Sequence, residues 1–347
     1  MNESIWKGKH GPLLIAEIGG NHEGDFEYAK KLTKLAIEAD VDFVKFQLYT
    51  GDGLVNPLES RQRNQHFKNF ELSRENHLEL AELCKKNFIG YAASVWHEDF
   101  FSWINDYLDF YKIGSGDLTA YPIIKKIAKI GKPILLSTGL ATESDIIESV
   151  KFIQKINPNY VKKNMLALLQ CTSMYPINYS DAHLNVMHRL REITKLSDVG
   201  YSDHTIGIDA LKYAYAMRAN ILEFHFTDNR LNRSFRDHTV SLTKTDVKRL
   251  ISEIQTINKL KGNYKKIQLK IELENNHVNT FRRALYLKND LPKGSTIKES
   301  DLIALRPNHG ICSSQSENLI GKVINKDIKA YEILKWEYIK TYKNELG

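Results

Sequence analysis

Cysteine is scarce in this chain. Its 347 residues include only Cys84, Cys171 and Cys312, an odd and widely spaced set that implies no disulfide framework. Long hydrophobic runs are missing too, and none approaches the roughly 20 apolar residues of a membrane-spanning helix. Residues Met1–Lys7 lack the apolar centre of a signal peptide, so the expected location is cytoplasmic, with no membrane partner. No repeat or low-complexity tract stands out. The net charge of +7 comes with no nucleic-acid-binding motif. The densest basic group (Lys259, Lys261, Lys265, Lys266 and Lys270) is interrupted by neutral and apolar residues and reads as a solvated face. What remains is an ordinary globular composition, 42% hydrophobic and 26% charged, long enough for one barrel-sized domain and a small one.

Eight short apolar or β-branched runs precede residue 230: Leu13–Ile18, Asp42–Leu48, Ile89–Ser94, Phe110–Ile113, Ile134–Ser137, Met165–Cys171, Val199–Tyr201 and Ile221–Phe226. Amphipathic helical patterns lie between them, among them Glu27–Ala39, Arg74–Asn87, Tyr121–Ile130, Glu143–Ile156 and Ile206–Asn220. Strands alternating with helices predict a parallel sheet. Eight such units in about 250 residues predict an α/β (β/α)8 TIM barrel, with an open doubly wound sheet as the alternative. A helix from Lys244 to about Leu260 closes this domain over residues 1–262, and the polar stretch 263–280 reads as a linker. Short strands and turns then fill 281–347, where Arg283–Leu287, the Lys293-Gly294 turn and Ile303–Pro307 suggest a small separate domain.

Polar residues collect at the carboxyl ends of the predicted strands, where barrels of this type carry their sites. These are Glu17 with Asn21-His22-Glu23-Gly24, Lys45 and Gln47, Lys112 with Gly114-Ser115-Gly116, Ser137-Thr138-Gly139, Cys171-Thr172-Ser173 with Tyr175-Pro176, Ser202-Asp203-His204, and Glu223 with His225. A spacing of two puts Lys45 and Gln47 on one strand face, and likewise Glu223 and His225. Singly, each has an ordinary explanation: a solvated lysine, a glycine turn, a helix cap or a satisfied core histidine. Together they point to one rim. His204 and His225 end neighbouring parallel strands, so two imidazoles could share a divalent ion and leave coordination positions open. Two lysines, hydroxyls and glycine backbone N–H groups suit a phosphate and a carboxylate. Glu17, Glu223 and Asp237 remain for proton transfer or for holding hydroxyls.

These motifs resemble the N-acetylneuraminate (sialic acid) synthases. The resemblance rests on Ala16–Gly19, Asn21–Gly24, Val44–Gln47, Tyr111–Gly116, Leu136–Gly139, Cys171–Ser173 with Tyr175-Pro176, and Gly200–Thr205. The tail, through Arg283–Leu287, Lys293-Gly294, Arg306-Pro307 and Gly321-Lys322, resembles that family's antifreeze-like SAF domain. The resemblance implies condensation of phosphoenolpyruvate with an N-acetylmannosamine-type sugar to a nine-carbon 2-keto acid and phosphate. A 2,4-diacetamido hexose, leading to legionaminic or pseudaminic acid, is the alternative. It further implies that His204 and His225 bind Mn2+ or Mg2+, and that Lys45, Lys112, Ser115, Ser137, Ser173 and Ser202 hold phosphoenolpyruvate. Glu17 would handle protons, and Gln47, Tyr175 and Asp237 would meet the sugar. Arg306 would reach it from the SAF domain of a homodimeric partner.

The chain departs from the family pattern at Ser94-Val95-Trp96-His97, at Phe224 and at Arg233-Ser234-Phe235-Arg236-Asp237, the last two expected beside the sugar pocket. Two other readings stay open. A synthase acting on an aldose phosphate would need a second phosphate cluster, which is not evident. A catalytically silent sugar- or ice-binding protein would not need the filled barrel rim.

Overall fold

The computed structural model describes residues 5–162, 164–233 and 235–340. They form two units, divided between Gly262 and Asn263. In the first, eight parallel strands close into a barrel: β1 (Gly11–Glu17), β2 (Phe43–Leu48), β3 (Gly90–Val95), β4 (Leu108–Ile113), β5 (Ile134–Ser137), β6 (Leu166–Cys171), β7 (Val199–Asp203) and β8 (Ile221–His225). Each strand pairs with the next, and β8 pairs back onto β1 with His225 opposite Glu17. Among the described residues, no helix is long and apolar enough to cross a membrane.

The long helices start where side chains can satisfy free backbone N–H groups. Asp25 caps α1 (Phe26–Glu38), Ser73 and Asn76 form a capping box at α3 (Arg74–Lys86), and Thr142 with Asp145 does the same at α5 (Glu143–Ile156). Between α1 and α3 lies the polar α2 (Arg61–Asn69), and α4 (Tyr121–Ile130) carries a proline in its first turn. Helices α6 (Val186–Thr194), α7 (Asp209–Ala216), the short α8 (Asp237–Val240) and the capped α9 (Lys244–Lys261) complete the barrel. Helix α7 is shorter at both ends than the pattern over Ile206–Asn220 predicts, because Gly207 has a φ of 93° and Arg218 a φ of 73°, both outside right-handed helical space.

Strand alternation builds two cores. Outward residues such as Leu14, Ala16, Val44, Phe46, Leu168 and Phe224 pack against the helices. Inward residues Leu13, Ile15, Ala92, Phe110, Leu135, Ala167, Leu169 and Ile221 fill the lower barrel together with Trp6. Trp6 enters from a two-residue strand, Lys7–Gly8, antiparallel to β1, and its indole lies 5.5 Å from the ring of Phe110. The base of the barrel is therefore plugged, and open space can exist only at the carboxyl end of the strands.

The second unit has its own core of Leu285, Leu287, Ile297, Leu302, Ile311, Leu319, Ile324, Ile328, Leu334 and Ile339. Its antiparallel pair joins β9 (Ala284–Leu287) to β10 (Leu302–Leu305). Two short helices, Lys270–Glu274 and His277–Phe281, occur in the stretch that reads as a linker.

Candidate active site

One register step above the apolar inner layer, the inward positions turn polar: Glu17, Lys45 and Gln47, Ser94, Lys112, Ser137, Cys171, Ser202, and Glu223 with His225. All of them line one cavity of about 1050 Å³ at the carboxyl end of the barrel. Except for the partly buried Gln47, each is buried, and a charge so placed must be paired or neutralised. The geometry meets that demand. The Lys45 ammonium pairs with Glu17 and lies 3.7 Å from Glu223, and the Lys112 ammonium is also 3.7 Å from Glu223. Gln47 donates to Glu17 at 2.9 Å, Ser202 donates to Glu223 at 2.8 Å, and Lys112 donates to Ser137 at 2.7 Å.

These pairs set the charges. Burial alone would lower Lys45, but Glu17 and Glu223 outweigh it and raise the amine above its ordinary value. Lys112 is pulled below its ordinary value, chiefly by burial, with Glu223 opposing. Burial would raise Glu223, yet Lys112 and Lys45 together hold it well below the usual carboxylate range. Burial also pushes the Cys171 thiol up to about 11, which leaves it a poor nucleophile at neutral pH.

Beside Lys112 lies a cradle of hydroxyls and backbone. The Gly139 N–H donates to the Ser115 hydroxyl at 3.0 Å. A Cβ at Gly139 would strike the Ser173 hydroxyl and come within 2.7 Å of Ser115 Oγ, so only glycine lets both hydroxyls pack this close to the backbone. Cationic, hydroxyl and amide donors around one small space suit a phosphate or carboxylate.

The histidines close the other side. His204 Nδ1 lies 2.7 Å from the Thr172 carbonyl, so that nitrogen carries the proton and Nε2 keeps its lone pair. Burial first, and then His225, hold His204 at about 3, neutral at physiological pH. The two imidazole centroids are 5.4 Å apart, and Tyr175 packs 3.9 Å from His204 and 5.4 Å from His225. His225 Nδ1 is buried without a hydrogen-bond partner among the described residues, with an Asp237 carboxylate oxygen 3.8 Å away. A neutral His204 with a directed lone pair, beside a His225 with an unmatched buried nitrogen, fits a divalent cation. No group of three or more His, Cys, Asp or Glu is arranged to hold a metal among the described residues. An ion here would therefore complete its coordination with water or substrate.

The structure brings to this cavity every residue that the family resemblance assigns to the metal or the substrates, except Arg306. Arg306 belongs to the second unit, where its exposed guanidinium lies 5.3 Å from the ring centre of Phe281. One expectation about the family departures needs correction. Phe224 does not border the cavity; between the inward Glu223 and His225 it must face outward, and it packs in the outer core. Conversely, Ser94 and Trp96 do line the cavity. Phe235 and Arg236 line it as well, while Ser234 lies outside the described residues. Sequence reasoning missed the outer wall: Arg63, His66 and Phe67 from the α2 region also face this space. A polar helix at the surface gives no period that could have flagged them. His66 stacks 5.9 Å from Phe235, and Phe70 lies 5.1 Å from Phe235.

Two family models match successive parts of the chain. The NeuB family model matches residues 32–266, and the SAF domain model matches residues 282–340. The chain is 35% identical to the N,N'-diacetyllegionaminic acid synthase of Campylobacter jejuni, over 93% of this chain and 98% of that one. It is 34% identical to the protein of the same name from Legionella pneumophila, over 94% of both. A solved structure of an N-acetylneuraminic acid (sialic acid) synthetase from Leptospira borgpetersenii, in complex with citrate, superposes with a TM-score of 0.69 at 28% identity. That match covers 76% of this chain and 90% of the other.

Proposed function

The chain belongs to the NeuB family and carries a C-terminal SAF domain, and from that premise we propose that it condenses phosphoenolpyruvate with an N-acylated hexose to form a nonulosonic acid. Family membership makes it a transferase-type synthase. The observation that carries the finer reading is the convergence, in one cavity, of an anion cradle around Lys112 and the His204–His225 pair. A 2,4-diacetamido hexose is favoured as acceptor over N-acetylmannosamine. Relatives named as diacetyllegionaminic acid synthases match over almost their whole length, and aromatic residues line the outer cavity.

In this reading Lys45, Lys112, Ser115, Ser137, Ser173 and Ser202 bind phosphoenolpyruvate, with Gly139 letting Ser115 and Ser173 approach each other. His204 and His225 would hold Mn2+ or Mg2+, which supplies Lewis-acid polarisation of the acceptor aldehyde. Gln47, Tyr175 and Asp237 orient the sugar so that its carbonyl carbon meets carbon 3 of phosphoenolpyruvate. The new carbon–carbon bond leaves a cationic carbon 2 and converts the aldehyde oxygen to an alkoxide. Water adds at carbon 2 and gives its proton to Glu17, held in place by Lys45 and Gln47. Glu17 passes that proton to the alkoxide, and as the tetrahedral carbon collapses its bond to the phosphate oxygen breaks and the remaining hydroxyl proton leaves with phosphate, giving the 2-keto acid. Arg306 of a homodimeric partner would complete the sugar site.

The test is phosphate release from purified protein with phosphoenolpyruvate, Mn2+ and a panel of N-acylated hexoses. Release with a diacetamido hexose, lost in His225→Ala, is the expected result. Release that survives His225→Ala would remove the metal assignment, and no release with any sugar would remove the reaction.

A further inference from the structure

The Asn21-His22-Glu23-Gly24 turn after β1 is the one rim motif that contributes no residue to the cavity wall, yet it is heavily engaged. Asn21 is fully buried, and its amide donates to the Phe226 carbonyl at 2.9 Å and to the Ser241 hydroxyl at 2.8 Å. Ser241 in turn donates to the Asp237 carbonyl at 2.7 Å. Glu23 makes a second link. Its carboxylate lies 3.1 Å from His238 Nε2, and His238 Nδ1 lies 2.7 Å from the Thr227 hydroxyl. A carboxylate only accepts, so Nε2 carries the proton towards Glu23 and Nδ1 accepts from Thr227. Burial lowers the pKa of His238, which suits this neutral, doubly engaged ring.

Both links end on α8, one at the backbone of Asp237 and the other at its neighbour His238. The far end of the same loop is fixed separately. Asp228 receives two hydrogen bonds from Arg233, at 2.9 and 3.1 Å, and one from the Tyr28 hydroxyl at 2.6 Å. Asp237 thus stands at the end of a loop clamped on both sides, with its carboxylate 3.8 Å from His225 Nδ1. Buried side-chain bonds of this kind hold one backbone position rather than adding contacts to a ligand.

We propose that Asn21, Glu23, Ser241 and His238 form a positioning brace that sets the Asp237 carboxylate against His225, and so governs binding of the acceptor sugar but not of phosphoenolpyruvate. The inference rests on the acceptor role given to Asp237 above. A small buried hydroxyl is the cleanest place to break the brace. Ser241→Ala should raise the KM of the diacetamido hexose about tenfold, the usual effect of losing one buried hydrogen bond at a site, with the KM of phosphoenolpyruvate within about twofold of wild type. Asp237→Asn should raise the acceptor KM as well. The Ser241→Ala/Asp237→Asn double variant should be no worse than Asp237→Asn alone, because both changes act through one carboxylate.

Additive losses in the double variant, an equal rise in both KM values, or a lower Tm with an unchanged acceptor KM would each overturn the brace. An unchanged acceptor KM in Asp237→Asn removes the acceptor role of Asp237 and the brace with it, while the phosphoenolpyruvate assignment stands.

Discussion

Glu223 holds two buried ammonium groups at once, 3.7 Å from each of Lys45 and Lys112. Removing one partner of a buried ion cluster leaves the others uncompensated, at a cost of about 3–5 kcal/mol. Glu223→Gln should therefore lower the Tm of the ligand-free protein by about 5 °C or more. Phosphoenolpyruvate should raise the variant's Tm more than it raises the wild type's, because the anion replaces the lost charge. Thermal unfolding with and without phosphoenolpyruvate checks this; equal shifts in both proteins would show that Glu223 does not balance the lysines. A second residue-scale effect concerns His22 and His77. Burial lowers His22 to about 4 and His77 to about 3, against about 6.5 in the unfolded chain. Between those values the unfolded chain binds more protons than the fold. Their contribution is complete above about pH 7 and is lost as pH falls below 6.5. His77 Nδ1 meets the Tyr91 hydroxyl at 2.8 Å, a bond that asparagine can imitate. His77→Asn should therefore lose less Tm than wild type between pH 7.5 and 5, as measured by calorimetry.

At the scale of elements, the strands were legible because period-two patterning is local. Tyr121–Ile130 and Glu143–Ile156 match the predicted helices residue for residue. β4 starts two residues before the predicted Phe110, at Leu108, and β7 runs past Tyr201 to Asp203. Ser202 and Asp203 do not look like strand residues, since their burial comes from the closed barrel. The segment around α2 was not legible at all. Arg61–Asn69 is polar, and its one buried residue is Asn64. The Asn64 amide ties the Gly51 carbonyl at 2.9 Å to that of Val55 at 2.8 Å and to the Asp52 carboxylate at 3.1 Å. Asn64→Ala should loosen this cover over the cavity. We expect faster limited proteolysis within residues 51–70 and raised KM values for both substrates, with global Tm changed by only a few degrees. A collapse of Tm instead would mean that the segment is part of the barrel's cooperative core.

At the scale of the whole molecule, the chain is two units with separate cores. The proposed dimer gives them a functional link that mixing can test. Arg306→Ala and His204→Ala subunits should each be inactive alone or nearly so. Mixed and allowed to exchange, they should regain about a quarter of wild-type phosphate release if half of the subunits form mixed dimers, each with one intact composite site. No recovery in demonstrably mixed dimers would place Arg306 outside the partner's site.

The sequence by itself determined the barrel, the SAF tail and the rim residues Glu17, Lys45, Lys112, Ser137, Ser202, His204 and His225. Each lies at or beside the end of a local apolar run, and alternation dictates which way the strand side chains face. Tertiary structure alone decided that Arg63, His66 and Phe235 wall the cavity, and that Asn21 braces Ser241 across 220 positions of chain. Such partners are brought together by barrel closure, when β8 returns to β1, and no periodicity within either segment records the meeting.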